Sequence, residues 1–327
     1  MKKILIYISL IFCTISCEIP FEIKDKADPL VFVQCAPSNE DTTFFKMVYA
    51  SPIGSGAQKV DLLPSMISMD CNGKALKIEK KGNLWFILHQ FAPGEKVSMR
   101  IEGAALKTAT CSVLIPEKPI MPDVKFSHKK NKKSSYTEFK LIMKEPVERG
   151  VYYGMQIYRK NKLRLGEGEG SMEIEDDLML SPNPLSGISD VRDIDMDDYC
   201  SVNFFKGIID KGYTAPMSLL TYRQFKDGVY TFYISENLFS MLEIPEHEEL
   251  PENKVTIIES RIKIRFYRLS NEFYYYAKAQ FLSNFDILAN MGLIPANFTY
   301  TNVENGLGNL GGLSYVETDW MLLEKEK

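Results

Sequence analysis

Residues 66–79, MISMDCNGKALKIE, place an Asn-Gly pair between two segments with the residue preferences of β-strands. Asn72 and Gly73 both tolerate a positive φ, which the type I′ turn of a two-residue hairpin requires. The pair therefore predicts a hairpin in which Met66–Cys71 turns directly into Lys74–Glu79.

Five further segments around this hairpin have the pattern of short strands. In Lys96–Glu102 the residues Val97, Met99 and Ile101 alternate with polar ones, which is typical of a strand with one buried face. The other four are Leu30–Ala36, Thr43–Ala50, Leu84–His89 and Thr108–Leu114. Strands at a spacing of about ten residues predict an immunoglobulin-like β-sandwich over residues 30–116.

The region 117–327 begins in a proline-rich stretch and is predicted to form a second, larger β-sandwich. Its longest strand candidate is Lys254–Tyr267, where apolar and basic residues alternate as in a sheet with one wet face. Further candidates are Thr137–Lys144, Val151–Arg159, Tyr199–Phe205 and Val229–Ser235. Residues 162–198 show little periodicity and predict a long loop insertion. The predicted fold class is therefore mainly β.

One amphipathic helix is expected near the C-terminus of the second region. Ser270 is a good N-cap residue, and apolar residues recur at every fourth position from Phe273 to Phe285. This stripe predicts packing against the second sheet. Tyr274 and Tyr275 flank the stripe, where they belong either to the edge of the core or to a ligand contact.

The N-terminus has the pattern of an export signal. Two lysines precede the apolar segment Ile4–Ile15, and Cys17 follows small and branched residues. This order predicts a lipoprotein signal peptide over 1–16, cleaved so that Cys17 carries the lipid. An ordinary secretory signal with an incidental cysteine is the alternative. Residues 17–29 are polar, contain two prolines and predict a tether.

Charge and cysteine content limit the partners and the redox state. The formal net charge of −4 gives no basic surface for nucleic acid, so no nucleic-acid partner is expected. An exported chain can form disulfides, and Cys35, Cys71 and Cys111 all lie on strand candidates of the first region. Either one bridge among these three or buried free thiols, with Cys200 as a fourth, fits the sequence.

The segment Gly306–Gly311 spells GxGxxG, but its context does not fit a dinucleotide site. Such a site needs a strand before the glycines, a helix after them and a βαβ unit. The segment is instead interpreted as part of a glycine-rich surface loop, Asn302–Gly312.

Metal and catalytic motifs are weak throughout the chain. The best metal candidates are the acidic residues Asp193, Asp195, Asp197 and Asp198. They do not complete the pattern of an EF-hand, so a solvated acidic loop is the preferred interpretation. His89, His128 and His247 do not have the spacing of a zinc site. Since nucleophile and phosphate-loop motifs are also missing from the sequence, we expect no enzyme activity and no cofactor.

Several segments, in their order along the chain, carry a resemblance to a known family. They are the turn Pro93–Lys96, the pair Ile115-Pro116, the pair Tyr152-Tyr153, the stretch Asn203–Gly207 and above all NVENGLG at 302–308. On these segments the chain resembles the Bacteroidota outer-membrane lipoproteins grouped as domain of unknown function 4249. The resemblance implies an exported, mainly β lipoprotein, often encoded beside a TonB-dependent receptor, and it supplies no catalytic residues.

The expected function is therefore binding at the outer membrane. The chain would be a lipid-anchored, non-enzymatic ligand-binding protein or accessory partner of a TonB-dependent transporter. The candidate contact residues are Tyr274, Tyr275, Asn302, Asn305, Gly306 and Gly308. Two alternatives stay open: a structural or adhesive module of the cell envelope, and a hydrolase that uses the acidic loop and the tyrosines. The ligand and the face of the membrane are left open.

Overall fold

The computed structural model describes most of the two predicted β regions. The described residues are 29–50, 62–82, 84–103, 106–130, 135–165, 172–180, 200–202, 204, 216–235, 255–285 and 300–325. The predicted signal peptide, Cys17, the tether up to residue 28, His247 and the acidic residues Asp193, Asp195, Asp197 and Asp198 lie outside these residues.

The first region is a two-sheet sandwich, as predicted. Its strands are β1 (Leu30–Cys35), β2 (Thr42–Ala50), β3 (Ile67–Cys71), β4 (Lys74–Ala75), β5 (Ile78–Lys81), β6 (Leu84–Leu88), β7 (Lys96–Gly103) and β8 (Leu106–Leu114). One sheet contains β1, β2, β6 and β5, and the other has the order β4-β3-β7-β8. The alternating residues Val97, Met99 and Ile101 are buried between the sheets, next to Phe45 and Trp85.

The hairpin at Asn72-Gly73 is present, with φ angles of 52° and 79°. The strand after the turn is shorter than the predicted Lys74–Glu79. It ends at Ala75, and the chain then crosses to the other sheet as β5. After the crossing, Leu76 and Ile78 are partly buried against the core between the sheets.

The second region contains two sheets among the described residues. The strands after residue 117 are β9 (Asp123–Lys130), β10 (Ser135–Ile142), β11 (Tyr152–Leu165), β12 (Met172–Leu180), β13 (Cys200–Val202), β14 (Met217–Leu220), β15 (Val229–Ser235), β16 (Val255–Leu269), β17 (Gly306–Leu310), β18 (Leu313–Glu317) and β19 (Met321–Lys325). All of them except β17 belong to these two sheets. The smaller sheet has the order β15-β10-β9, and the larger one follows β13-β14-β11-β16-β18, with β12 on β11 and β19 on β16. Phe139 and Phe232 stack at 5.0 Å in the core between the two sheets.

The predicted loop insertion over 162–198 is wrong in part. Strand β11 continues to Leu165, and β12 pairs with it in an antiparallel register. The register places Lys162 opposite Glu175 and Arg164 opposite Glu173. The sequence therefore carries basic residues of β11 at positions that pair with acidic residues of β12. Residues 181–199 lie outside the described residues.

The predicted helix is present as α1 (Asn271–Phe285). The Ser270 hydroxyl accepts a hydrogen bond from the Phe273 amide at 3.2 Å, so Ser270 is the N-cap. The helix is buried over more of its circumference than the predicted stripe, because Tyr274 and Tyr276 are buried together with Phe273. It packs against both β13 and β17, and so lies between the two regions rather than on the second sheet alone.

The C-terminal segment corrects the predicted domain boundary at residue 116. Strand β17 returns to the first sandwich and pairs in parallel with β1. Val303 and Leu310 are part of the first core. The first sandwich is therefore completed by residues from the far end of the chain, and the predicted division into 30–116 and 117–327 is wrong at this point.

The four cysteines of the described residues, Cys35, Cys71, Cys111 and Cys200, are buried free thiols. The sequence allowed either one disulfide or buried free thiols, and the structure has free thiols. Burial raises the pKa of Cys111 and of Cys200 to about 12, so both thiols stay protonated at neutral pH. Within the described ranges, no helix has the length and apolar character that crossing a bilayer would require.

Candidate functional site

Four tyrosines gather where β11 begins and α1 starts, and we call Tyr152, Tyr274, Tyr275 and Tyr300 the tyrosine cluster. The Tyr152 and Tyr274 rings stack in parallel, with centroids 3.8 Å apart. Tyr275 meets both rings edge-on at 5.5 Å and lies 5.8 Å from Tyr300. The cluster is thus a packed set of rings, of which Tyr274 forms the buried base.

Tyr275 is the exposed member of the tyrosine cluster. It is 45% exposed, whereas Tyr274 beneath it is 5% exposed. The hydroxyl oxygens of Tyr275 and Tyr152 lie 2.7 Å apart and share a hydrogen bond. Burial and, to a smaller extent, this hydrogen bond raise the pKa of Tyr152 to about 12. The surface is therefore aromatic, and its hydroxyl groups can both donate and accept hydrogen bonds.

The fold positions the cluster through one serine. Besides capping the helix, the Ser270 hydroxyl accepts a hydrogen bond from the Gly312 amide at 3.1 Å. The Ser270 amide donates to the Gly312 carbonyl at 2.9 Å. Tyr152 pairs with Leu269, the residue directly before this cap. The start of the helix is thus fixed both to the second sheet and to the C-terminal segment.

A cleft of about 310 Å³ opens beside the first turn of the helix, and we call it the junction cleft. Leu114 and Pro116 of the first sandwich line it, together with Arg268 and Asn271 from the second region. Its lining combines apolar surface with one cation, Arg268, and two carboxylates, Glu117 and Glu272, so it offers a ligand both apolar and charged contacts. Clefts between two packed units are also a common position for small-ligand sites.

The predicted contacts Asn302 and Asn305 hold the C-terminal segment in place. The Asn302 side chain donates to the Leu310 carbonyl at 2.8 Å and accepts from the Leu310 amide at 3.0 Å. Asn305 has a φ of 53° and donates to the Thr108 carbonyl at 3.1 Å. Both asparagines therefore have structural partners within the chain.

The predicted contacts Gly306 and Gly308 allow β17 to approach β1. A Cβ atom on Gly308 would lie 1.8 Å from the Val33 carbonyl oxygen, and Gly308 has a φ of +96°. A Cβ atom on Gly306 would lie 2.7 Å from Val303 Cγ1. The interpretation of Asn302–Gly312 as a surface loop is wrong over this strand, because the glycines that suggested a loop permit close backbone packing. Of the predicted contacts, Tyr275 presents an exposed ring.

The fold also brings together three potential metal ligands that no motif in the sequence predicts. The donor atoms of Cys71, His89 and Glu95 all lie within 4.8 Å of one another. Burial and, to a smaller extent, a hydrogen bond to Glu95 raise the pKa of Cys71 to about 11. A hydrogen bond from the Ala92 amide lowers the pKa of Glu95. The three residues come from separate strand ends, so no spacing motif relates them.

A row of cations and rings crosses the larger sheet of the second region. It consists of Lys160, Trp320, Lys263, Tyr158, Arg265 and Tyr315, with cation-to-ring distances of 4.2–5.7 Å. Glu317 pairs with Lys263 at 3.1 Å and with Arg265 at 3.0 Å, and Glu40 pairs with Arg265 at 2.6 Å. Because Glu40 belongs to the first sandwich, this row helps to join the two regions.

The described residues form a mainly β protein of two joined sandwich regions, with a helix between them and an aromatic surface at the start of that helix. The chain belongs to the family described as Domain of unknown function (DUF4249), whose model matches residues 17–319. This match confirms the family that the sequence resembles.

Two further comparisons add nothing to this assignment. No curated protein matches the chain. Among solved structures, the chain is matched to one described as "Complete structure of manganese lipoxygenase of Gaeumannomyces graminis and partial structure of zonadhesin of Komagataella pastoris". The identity is 8%, over 74% of this chain and 90% of that one, with a TM-score of 0.17. A likeness of this size carries no argument.

Proposed function

We propose that this protein is a lipid-anchored outer-membrane protein that binds a ligand without transforming it, as an accessory of a TonB-dependent transporter. The N-terminal pattern of residues 1–17 supports the anchor, and the family resemblance supports the transporter partnership. The site of binding is the tyrosine cluster together with the junction cleft.

The observation that carries the binding role is the exposed Tyr275 ring above the stacked pair of Tyr152 and Tyr274. An exposed ring on a rigid base loses little conformational freedom when a ligand stacks on it. The neighbouring hydroxyl groups supply hydrogen bonds at the edge of the same surface. This chemistry suits an uncharged ligand with an apolar face and several hydroxyl groups, such as an oligosaccharide.

Binding is tested with the purified mature chain and a panel of neutral oligosaccharides, by array and then by calorimetry. Tyr275→Ala should weaken binding at least about tenfold, since it removes the stacking ring. The matched control is Leu282→Ala, which truncates another exposed side chain of the same helix, 57% exposed, and should leave the affinity unchanged. Equal affinities of the wild type and Tyr275→Ala would exclude the tyrosine cluster as the site.

The anchor and the partner are tested in the native cell. Mass spectrometry of the mature N-terminus should find acyl chains on Cys17, and Cys17→Ser should release the protein from the membrane fraction. Cross-linking of the anchored protein should yield a conjugate with a TonB-dependent barrel that Cys17→Ser loses. An unmodified, secreted chain would rule out the anchor, and conjugates with adhesion or surface-layer proteins instead would favour the structural alternative.

A further inference from the structure

The turn at Asn72 brings two potential metal ligands to one edge of the first sandwich. Cys71 is the last residue of β3 and directly precedes the turn. The Asn72 amide donates to the Lys96 carbonyl at 2.8 Å, and the Lys96 amide donates to Asn72 Oδ1 at 2.9 Å. Glu95 directly precedes Lys96, so these two hydrogen bonds hold Cys71 and Glu95 next to each other.

Glu95 is itself held by backbone hydrogen bonds. Its Oε2 atom accepts from the Ala92 amide at 2.8 Å, and its carbonyl oxygen accepts from the Ile115 amide at 2.9 Å. The carboxylate therefore has a defined position before any ligand binds. Preorganisation of this kind lowers the entropic cost of forming a metal site.

His89 supplies the third donor atom from the end of β6. Its Nε2 atom is buried and has no hydrogen-bond partner among the described residues. The nearest carboxylate oxygen, Glu95 Oε2, lies 3.9 Å away, which is beyond hydrogen-bond range. Phe91 holds the imidazole edge-on, with ring centroids 4.6 Å apart. A buried nitrogen without a partner is costly, and a coordinated cation would satisfy it.

We propose that Cys71, His89 and Glu95 form a Zn²⁺ site with one position open to solvent. A thiolate, an imidazole and a carboxylate are the three ligand types that zinc accepts, and a site with three protein ligands keeps a place for water. Calcium and magnesium require oxygen ligands and do not fit a set with sulfur and nitrogen. The His89 side chain is 34% exposed, which leaves a route for the ion from solvent.

The geometry requires a small contraction. The three donor atoms lie within 4.8 Å of one another, whereas tetrahedral zinc with bonds of about 2.0–2.3 Å holds its ligand atoms about 3.3–3.7 Å apart. Because the Ala92 amide holds the Glu95 carboxylate, a rotation of the His89 side chain would have to supply most of this contraction. On binding, the bond from Zn²⁺ to Cys71 Sγ replaces the S–H bond, and the proton leaves to solvent.

The test uses the purified mature chain, stripped of metal by a chelator and titrated with Zn²⁺ by calorimetry. One ion per chain should bind, and His89→Gln and Cys71→Ser should each weaken that binding at least about tenfold. Co²⁺ serves as the optical probe, since a Cys71 ligand should give a thiolate-to-cobalt absorption band that Cys71→Ser abolishes.

Matched controls separate this site from other donors in the chain. His128→Gln changes another histidine, and Asp195→Asn changes the acidic stretch of the sequence; both should bind Zn²⁺ as the wild type does. Zinc should also raise the Tm of the wild type but not that of His89→Gln, which shows that the variant folds and has lost the ion. Unchanged zinc affinity in His89→Gln, or its loss in Asp195→Asn, would overturn the proposal.

Discussion

Two glycines of the C-terminal strand β17 and two members of the tyrosine cluster, Tyr274 and Tyr275, were predicted to contact a ligand, yet the structure uses the strand and the cluster in different ways. Gly308 in β17 is buried under the backbone of β1, whereas Tyr275 in the cluster is 45% exposed. Glycines and asparagines occur in exposed loops and in tightly packed strands alike. The identity of these residues therefore predicts backbone freedom, and only the packing decides whether that freedom serves a turn, a ligand or a close contact.

The largest effect is expected for Gly308→Ala, which tests whether β17 is structural. The added Cβ atom would lie 1.8 Å from the Val33 carbonyl oxygen, and the backbone of a strand pair cannot move away easily. We expect a loss of about 3–5 kcal/mol in the free energy of unfolding, or a failure to fold. Urea unfolding and soluble yield measure this loss.

The matched control for this substitution is Gly82→Ala. Gly82 also has a positive φ, of +62°, but nothing lies within 4 Å of the added Cβ atom. Its cost should be about 1 kcal/mol, from backbone strain alone. Equal losses in the two variants would show that conformation rather than close packing explains the glycine in β17.

A smaller effect is expected for Ser270→Ala, which removes the hydroxyl group that joins the start of the helix to the C-terminal segment. The substitution removes the acceptor of both the Phe273 and Gly312 amides. We expect a loss of about 2 kcal/mol, because an N-cap is lost and a buried donor is left without a partner. Thermal unfolding measures it, with Ser283→Ala on the same helix as a control that should change stability by less than about 0.5 kcal/mol. A neutral Ser270→Ala would contradict the role given to this cap.

The smallest effect on stability is expected at the exposed end of the cluster. Tyr275→Phe removes the hydrogen bond to Tyr152 but keeps the ring, so the pKa of Tyr152 should fall while burial still holds it above its usual value. Alkaline titration of tyrosine absorbance measures this change. No change in the alkaline titration would mean that the hydroxyl pair does not form in solution.

The pH dependence of stability follows from the burial of Tyr152 and, to a smaller extent, from the same hydrogen bond. The folded pKa of Tyr152, about 12, lies above that of an unfolded tyrosine, so the folded state holds this proton more tightly. Its contribution to stability is complete below about pH 10 and is lost as the pH rises towards 12. Urea unfolding between pH 9 and 12 should show a steeper decline for the wild type than for Tyr275→Phe.

The fold class and many local elements could be predicted because their signals lie within a few residues. Alternation in β7, the Asn72-Gly73 turn and the cap at Ser270 each depend on neighbours two to four positions away. The strand pair β11–β12 was missed because its polar, charged residues resemble a loop. Its partner charges become informative only when the register is known.

The candidate site was predicted less well, because its parts come from distant points of the chain. Tyr275 was identified from the sequence, but its partner Tyr152 is brought to it by the pairing of β11 with β16. Cys71, His89 and Glu95 have no common motif, because three different strand ends supply them. Spacing rules detect ligands on one element and miss ligands that converge from several.

The amino-acid sequence alone determined a mainly β protein of a recognisable family, with a capped helix and an N-terminal pattern of export. These features follow from short-range periodicity and residue preference. The tertiary structure decided that β17 completes the first sandwich, that its glycines are buried and that one tyrosine remains exposed above its neighbours. Which distant segments pair depends on how much apolar surface each arrangement buries and on how many backbone hydrogen bonds it forms. Both quantities depend on the whole chain, so no short segment determines them.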